Sequence, residues 1–272
     1  MALYAEASPE LALKAIGRLP ELGEVSHLVV ASCTGFVAPG IDQIIARRLG
    51  LGGDIERVLV GFMGCYAAVI ALRTARHIVR SEPEARVLVV TVELSSLHHQ
   101  PMMDIEPLLM GAQFGDGAAA AIVTHGGHGL AIGEGISATL EDSEELITWN
   151  IGDTGCLMRL SGEVPGRIVA ALADSEIRKR ITGGVPASAI EAWAVHAGGR
   201  SILDAVEKGL QLAPTALDDS REVLRNCGNM SSSTLMFALR RIMRREPASG
   251  VALAFGPGLA MEGFRFGWED AG

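Results

Sequence analysis

Apolar residues fall along this chain in two alternating patterns. Short, nearly unbroken apolar runs at 25–31, 86–92, 190–195 and 251–255 predict buried strands. Longer stretches with apolar positions every three or four residues predict amphipathic helices at about 5–18, 65–80, 167–182 and 230–245. Further strands are expected at 116–124, 129–138 and 259–267. Strands alternating with helices indicate an α/β fold whose sheets are mostly parallel and covered on both faces.

The pattern repeats. An offset of 164 residues, the separation of Cys65 and Asn229, lays CYAAVIALRTARHIVRSEPEARVLVV over NMSSSTLMFALRRIMRREPASGVALA without a gap. Gly64 falls on Gly228, Arg76 on Arg240, Ile78 on Ile242, and Glu82-Pro83 on Glu246-Pro247. Upstream, LVVASCTG at 28–35 falls on AWAVHAGG at 192–199, which sets His196 opposite Ser32. This predicts two repeated halves, 1–125 and 126–272, in one compact unit. In the second half the 129–138 strand precedes the helix at 167, and its counterpart falls before residue 1. The chain is therefore expected to start late, without an N-terminal strand.

Composition narrows the classes. With 272 residues, 49% of them hydrophobic, the chain can bury a large core. No apolar run approaches the ~18 residues of a membrane span, and the start, MALYAEASPELALKAIGRLP, lacks the basic-then-apolar layout of a signal peptide. The expectation is a soluble, cytoplasmic protein. A net charge of −9 argues against nucleic acid and leaves room for a local basic patch that grips a phosphorylated ligand. The four cysteines, at 33, 65, 156 and 227, form no CxxC pair, so reduced thiols are expected. The seven histidines include no HExxH, and His98-His99 is a weak metal signal.

Cys65 follows a strand and a glycine turn and opens a helix. A helix N-terminus favours an anion and lowers a thiol pKa, yet a free cysteine is also commonly buried and inert. His196 ends an apolar strand, where it can act as base, acid or donor, or simply be a satisfied strand-end histidine. Asn229 suits a helix N-cap. The repeat changes the weighting. It puts Cys65 and Asn229 at matching helix starts of two pseudo-symmetric halves, with His196 at the same edge. Such a trio suits acyl transfer followed by carbon–carbon bond formation, with the imidazole and carboxamide donating to an oxyanion. The glycines of AFGPGLAMEG let backbone approach a ligand or the Cys65 loop, or make a plain turn. GDGAAAA at 115–121 lacks dinucleotide-binding spacing, and GGHG at 126–129 reads as a connection between halves.

The stretches SCTGFVAPG, GFMGCYAA, ARVLVVTVELSSLH, QFGDGAAAAIV, WAVHAGGRSILDAVE, GNMSSSTLMFAL and AFGPG, spread over almost the whole chain, resemble the type III polyketide synthases, the chalcone synthase superfamily of the thiolase fold. The resemblance implies a thiolase-like acyltransferase. It would condense acyl-CoA starters with malonyl-CoA iteratively and release a cyclised polyketide of pyrone, resorcinol or chalcone type. Cys65 would carry the acyl chain. His196 and Asn229 would bind the malonyl carbonyl and stabilise the enolate, and His196 would help keep Cys65 ionised. Phe114 would gate the pocket, Met158 stands where many plant members carry a second gating phenylalanine, and Cys33 would line the pocket, as would Gly256 and Pro257. The resemblance further implies a homodimer, with the small Ala38 on the loop that reaches the partner's site, and no metal or redox cofactor. It also implies that about a hundred residues, which supply basic groups for coenzyme A phosphates, would precede residue 1. The alternatives are a single-round 3-ketoacyl synthase and an inactive truncated paralogue that acts through dimerisation.

Overall fold

Successive side chains of a strand point to opposite faces, so an unbroken apolar strand needs cover on both sides. The computed structural model, which describes residues 1–99, 108, 111–152 and 155–270, supplies that cover in layers. β1 (His27–Ser32), β2 (Glu56–Gly61), β3 (Arg86–Leu94) and β4 (Asp116–Thr124) form one sheet in the order β2-β1-β3-β4. β1 is parallel to β2 and β3, and β4 returns antiparallel to β3. In the second half, β5 (Gly129–Thr139) is followed by a hairpin of β6 (Ile147–Gly152) and β7 (Gly155–Leu160). β8 (Ala192–Val195), β9 (Gly250–Gly256) and β10 (Ala260–Glu269) complete a second sheet in the order β5-β10-β9-β8. There β8 and β9 are parallel, and β10 is antiparallel to both β9 and β5.

Helices α1 (Ala2–Ile16) and α2 (Ile41–Leu49) cover the outer face of the first sheet, where Leu28, Val30, Leu88 and Val90 point. The alternate residues Val29, Ala31, Val87 and Val89 face a central layer. That layer holds α3 (Ala67–Ser81) and a helix of the second half at Ser233–Met243. On the far side, Ala192, Ala194, Ala252 and Ala254 face the same layer, while Trp193, Val195, Val251, Leu253 and Phe255 face outward. The outward set is covered by α4 (Val164–Ala173), α5 (Ser175–Thr182) and α6 (Arg200–Leu210). α7 (Asp218–Cys227) leads into α8, the central helix Ser233–Met243. The alanines on the inner face of β8 and β9 let the central helices lie close to the sheet.

Two expectations change. The single helix expected at 167–182 is broken into α4 and α5. Asp174 is in extended conformation and its carboxylate accepts from the N–H groups of Glu176 and Ile177, both at 2.9 Å, which caps α5 and ends α4. The repeat is also incomplete. The 164-residue offset carries β2 onto residues that are helical, in α7. None of the helices, among the described residues, is long and apolar enough to cross a membrane.

The loop ahead of α3 is locked by close packing. Gly64 has φ +71°, and a Cβ there would lie 2.4 Å from Pro257 Cδ. Gly50 has nearly the same backbone, φ +68°, with nothing within 4 Å. Gly50→Ala is expected to cost about 1 kcal/mol, the strain of a left-handed residue. Gly64→Ala is expected to cost about 3 kcal/mol, because the clash adds to the strain. Urea unfolding of the two variants measures the difference.

Candidate active site

The carboxyl ends of the parallel strands in both sheets open on one edge, the position where α/β proteins place ligands. β1 runs out into Cys33 and Thr34, β3 into Ser95, β8 into His196 and β9 into Pro257. β2 leads through Phe62 and Gly64 into a 3₁₀ turn, Gly64–Tyr66, that carries Cys65 and passes into α3. The junction of α7 and α8 carries Asn229. Two small adjoining cavities lie here, each with free volume of about 30 Å³. Cys33, Cys65, Phe114, Trp149, Met158 and Pro257 line the first. Cys65, Phe114, Met158, His196, Asn229 and Gly256 line the second. Every site residue singled out in the sequence therefore borders one or both.

Glycines bring the walls together. A Cβ on Gly256 would meet Tyr66 Cδ1 at 2.6 Å, so β9 ends in direct contact with the Cys65 turn. On the other side the Asn229 N–H donates to the Gln113 carbonyl at 2.8 Å, and the Gly115 N–H donates to the Asn229 carbonyl at 2.9 Å. That bridge fixes Phe114 beside Asn229. The Asn229 carboxamide is aimed by its neighbours. Its Nδ2 donates to the Gly198 carbonyl at 3.2 Å, and its Oδ1 accepts from the Ser231 N–H at 2.9 Å. The second Nδ2 proton is directed at the Cys65 sulfur. Cys33 Sγ accepts from the Gly64 N–H at 3.0 Å and so holds the turn from beneath. Cys33, Cys65 and Cys227 are free thiols; the side chain of Cys156 lies outside the described residues.

The site is electrically neutral at its centre. Burial pushes the Cys65 thiol up to about 12, against opposing hydrogen bonds from Ser231 and Asn229. Burial also lowers His196 to about 4. Both ring nitrogens of His196 are buried without a hydrogen-bond partner. Burial thus works against the expected thiolate. Cys65 sits in an enclosed 3₁₀ turn ahead of α3, where the cost of a buried charge opposes the helix field.

Four further residues shape the site. Glu93, fully buried in β3, accepts from the Cys33 N–H and the Thr34 hydroxyl, both at 2.9 Å, and from the Ser232 hydroxyl. Burial raises its carboxyl to about 7 despite these donors. A lone acid inside the apolar run VLVVTVEL was the available signal. Ser231 and Ser232 stand in the GNMSSS motif, whose asparagine alone drew notice. Trp149, with its Nε1 buried and unpartnered, fills one wall of the first cavity and packs edge-on against His98. No local pattern marks it. His98 contacts the Thr34 carbonyl through Nε2 at 2.6 Å.

Comparison with known proteins agrees along the chain. The family model for the chalcone and stilbene synthases, N-terminal domain, matches residues 2–127, and that for the C-terminal domain matches residues 132–266. The chain is 34% identical over 280 residues to the alpha-pyrone synthesis polyketide synthase-like Pks18 of Mycobacterium tuberculosis, covering 97% of this chain and 71% of that protein. Among solved structures, the C-terminal type III polyketide synthase domain of Steely1 from Dictyostelium superposes with TM-score 0.89 at 27% identity, over 98% of this chain and 78% of that one. The 1,3,6,8-tetrahydroxynaphthalene synthase of Streptomyces coelicolor A3(2) gives TM-score 0.89 at 28% identity, over 99% and 79%.

Glu93 and His196 make stability depend on pH in opposite senses. The folded-state pKa of Glu93 is raised from 4.5 to about 7. Its contribution is therefore fully present below 4.5 and lost as pH rises through 7. The folded-state pKa of His196 is lowered from 6.5 to about 4, so its contribution is present above 6.5 and lost as pH falls through 4. Glu93→Gln is expected to gain on the wild type in urea midpoint as pH rises from 4.5 to 7. Glu93→Ala, which strands three buried donors, is expected to cost about 3 kcal/mol.

Proposed function

The chain belongs to the chalcone and stilbene synthase family, the type III polyketide synthases, acyltransferases that condense acyl-CoA and malonyl-CoA iteratively to cyclised polyketides, and on that premise we propose how its own residues divide the work. The observation that carries the proposal is the lining of one buried pocket by Cys65, His196 and Asn229, drawn from both halves.

In this reading the Cys65 sulfur attacks the starter thioester carbonyl. Its proton passes to the free lone pair of neutral His196 and then to the departing coenzyme A thiolate, leaving acyl-Cys65. Burial disfavours charge on both groups, so in this reading the proton moves as the sulfur attacks. Malonyl-CoA follows. Its thioester oxygen takes the Asn229 N–H that had faced Cys65 and an N–H of His196, whose ring now carries its proton on the pocket-facing nitrogen, so the enolate formed on loss of carbon dioxide is held by two donors. The enolate carbon attacks acyl-Cys65, a carbon–carbon bond forms, and the sulfur departs. Return of the lengthened chain to Cys65 starts another round. The sequence of steps is redox-neutral, and coenzyme A thioesters are its only small-molecule reactants.

The narrow cavities and the bulk of Trp149 and Met158 support a short chain. A homodimer is supported by β2 and the loops beside it. Val58 and Leu59 point to opposite faces of β2, yet are 40% and 46% exposed. Phe36 and Phe62 nearby are 66% and 47% exposed, and Ala38 lies on the Phe36 loop. We infer that a second copy covers this apolar edge.

Labelled malonyl-CoA with an acyl-CoA starter tests the proposal. Several carbon dioxide molecules are expected per product. One per product indicates a single-round synthase, and none an inactive chain. Cys65→Ala is expected to abolish acyl loading by mass spectrometry, whereas Cys33→Ala loads and alters the product. Trp149→Ala opens the first cavity and is expected to shift products toward longer chains by at least one malonyl unit. An unchanged product length would show that this wall does not set it.

A further inference from the structure

At the edge of the first sheet opposite the active site, His27 begins β1, Glu56 begins β2 and Glu82 follows the last turn of α3. We propose that these three residues form a binding site for a divalent first-row transition metal such as Zn²⁺.

The geometry carries the proposal. His27 Nε2 lies 3.7 Å from Glu56 Oε2 and 3.8 Å from Glu82 Oε2, and the three ligand atoms all lie within 4.8 Å of one another. These separations are too long for hydrogen bonds. They are close to the spacing of about 3.3 Å that tetrahedral zinc, with bonds of about 2.0–2.1 Å, sets between its ligands. Small movements of the carboxylates close the difference. Both glutamate side chains are free to make them, at 72% and 57% exposure, while the His27 side chain is 7% exposed and held rigidly.

Ser26 pairs with the far nitrogen of His27. Its Oγ lies 2.9 Å from His27 Nδ1. The same hydroxyl lies 3.3 Å from the Arg86 carbonyl and accepts from the Arg86 N–H at 3.0 Å. A proton turned toward that carbonyl leaves the hydroxyl free to accept from Nδ1–H, the tautomer a metal at Nε2 requires. The lone pair of Nε2 then points at two carboxylates, an arrangement that calls for a cation between them. A histidine that donates through one nitrogen while presenting the other is the usual metal-ligand posture. Imidazole with carboxylates suits zinc and its neighbours. The site would tie β1, β2 and the end of α3 together at the far edge from the chemistry. Among the described residues no other group of three histidine, cysteine or acidic side chains comes as close.

Titration with zinc chloride by calorimetry tests this, on protein whose thiols are blocked with iodoacetamide so that cysteines do not contribute. The wild type is expected to bind one equivalent. Glu56→Gln and Glu82→Gln, both at exposed positions, are each expected to weaken binding on the order of tenfold or more, and His27→Gln to abolish it. Zinc is also expected to shift the ¹⁵N resonance of His27 Nε2 and leave that of Nδ1 nearly unmoved. Unchanged affinity in the two glutamine variants overturns the site, as does absence of binding to the wild type.

Discussion

Burial of two helices between two sheets is the constraint on which this structure depends. α3 and α8 are buried along most of their length, because each lies against strands of both halves, and their C-terminal turns, at His77, Arg80, Arg240 and Met243, reach solvent. That demands small residues where the sheets approach them, and β8 and β9 supply alanine at each inward position of their central stretch. It also fixes where the two helices begin. Their N-terminal approaches must emerge at the same edge as the carboxyl ends of β1, β3, β8 and β9. The nucleophile candidate, the histidine and the asparagine converge because the packing of the central layer leaves them no other place.

Burial in such a setting disfavours charge on the polar groups it encloses. Glu93 is buried in β3 and ties the Cys33–Thr34 loop to Ser232 at the start of α8. It thereby joins the two halves directly beneath Cys65. Cys65 and His196 are both driven to their neutral forms by burial. A pocket of this kind avoids the desolvation cost of a resting ion pair. It develops charge only as a proton moves, next to donors already in position.

The two halves show how a duplicated frame becomes an asymmetric site. Ser32 and His196 occupy equivalent strand ends. Ser32 accepts a hydrogen bond from the Tyr4 hydroxyl at 2.7 Å and is tied into the core. His196 has no such partner and faces the cavity. Cys65 and Asn229 likewise stand at equivalent helix approaches with different chemistry. Where β2 has a helical counterpart in α7, the first half keeps an exposed apolar edge at Val58 and Leu59.

The sequence by itself determined the layered α/β frame, because strand and helix periods are local properties of the chain. It pointed to two halves, because the 164-residue offset needs no structure to be seen. Cys65, His196 and Asn229 were legible for the same reason, since a repeat maps equivalent positions onto a common centre. The break at Asp174 was missed because an apolar rhythm continues through a cap. Only the tertiary structure decided protonation, since the charge of Cys65 and His196 follows from how much water is excluded around them. It alone showed Glu93 bridging the halves, Trp149 walling the cavity, and His27 meeting two glutamates. Each of these contacts joins residues far apart in the chain, and no local spacing records a contact made across space.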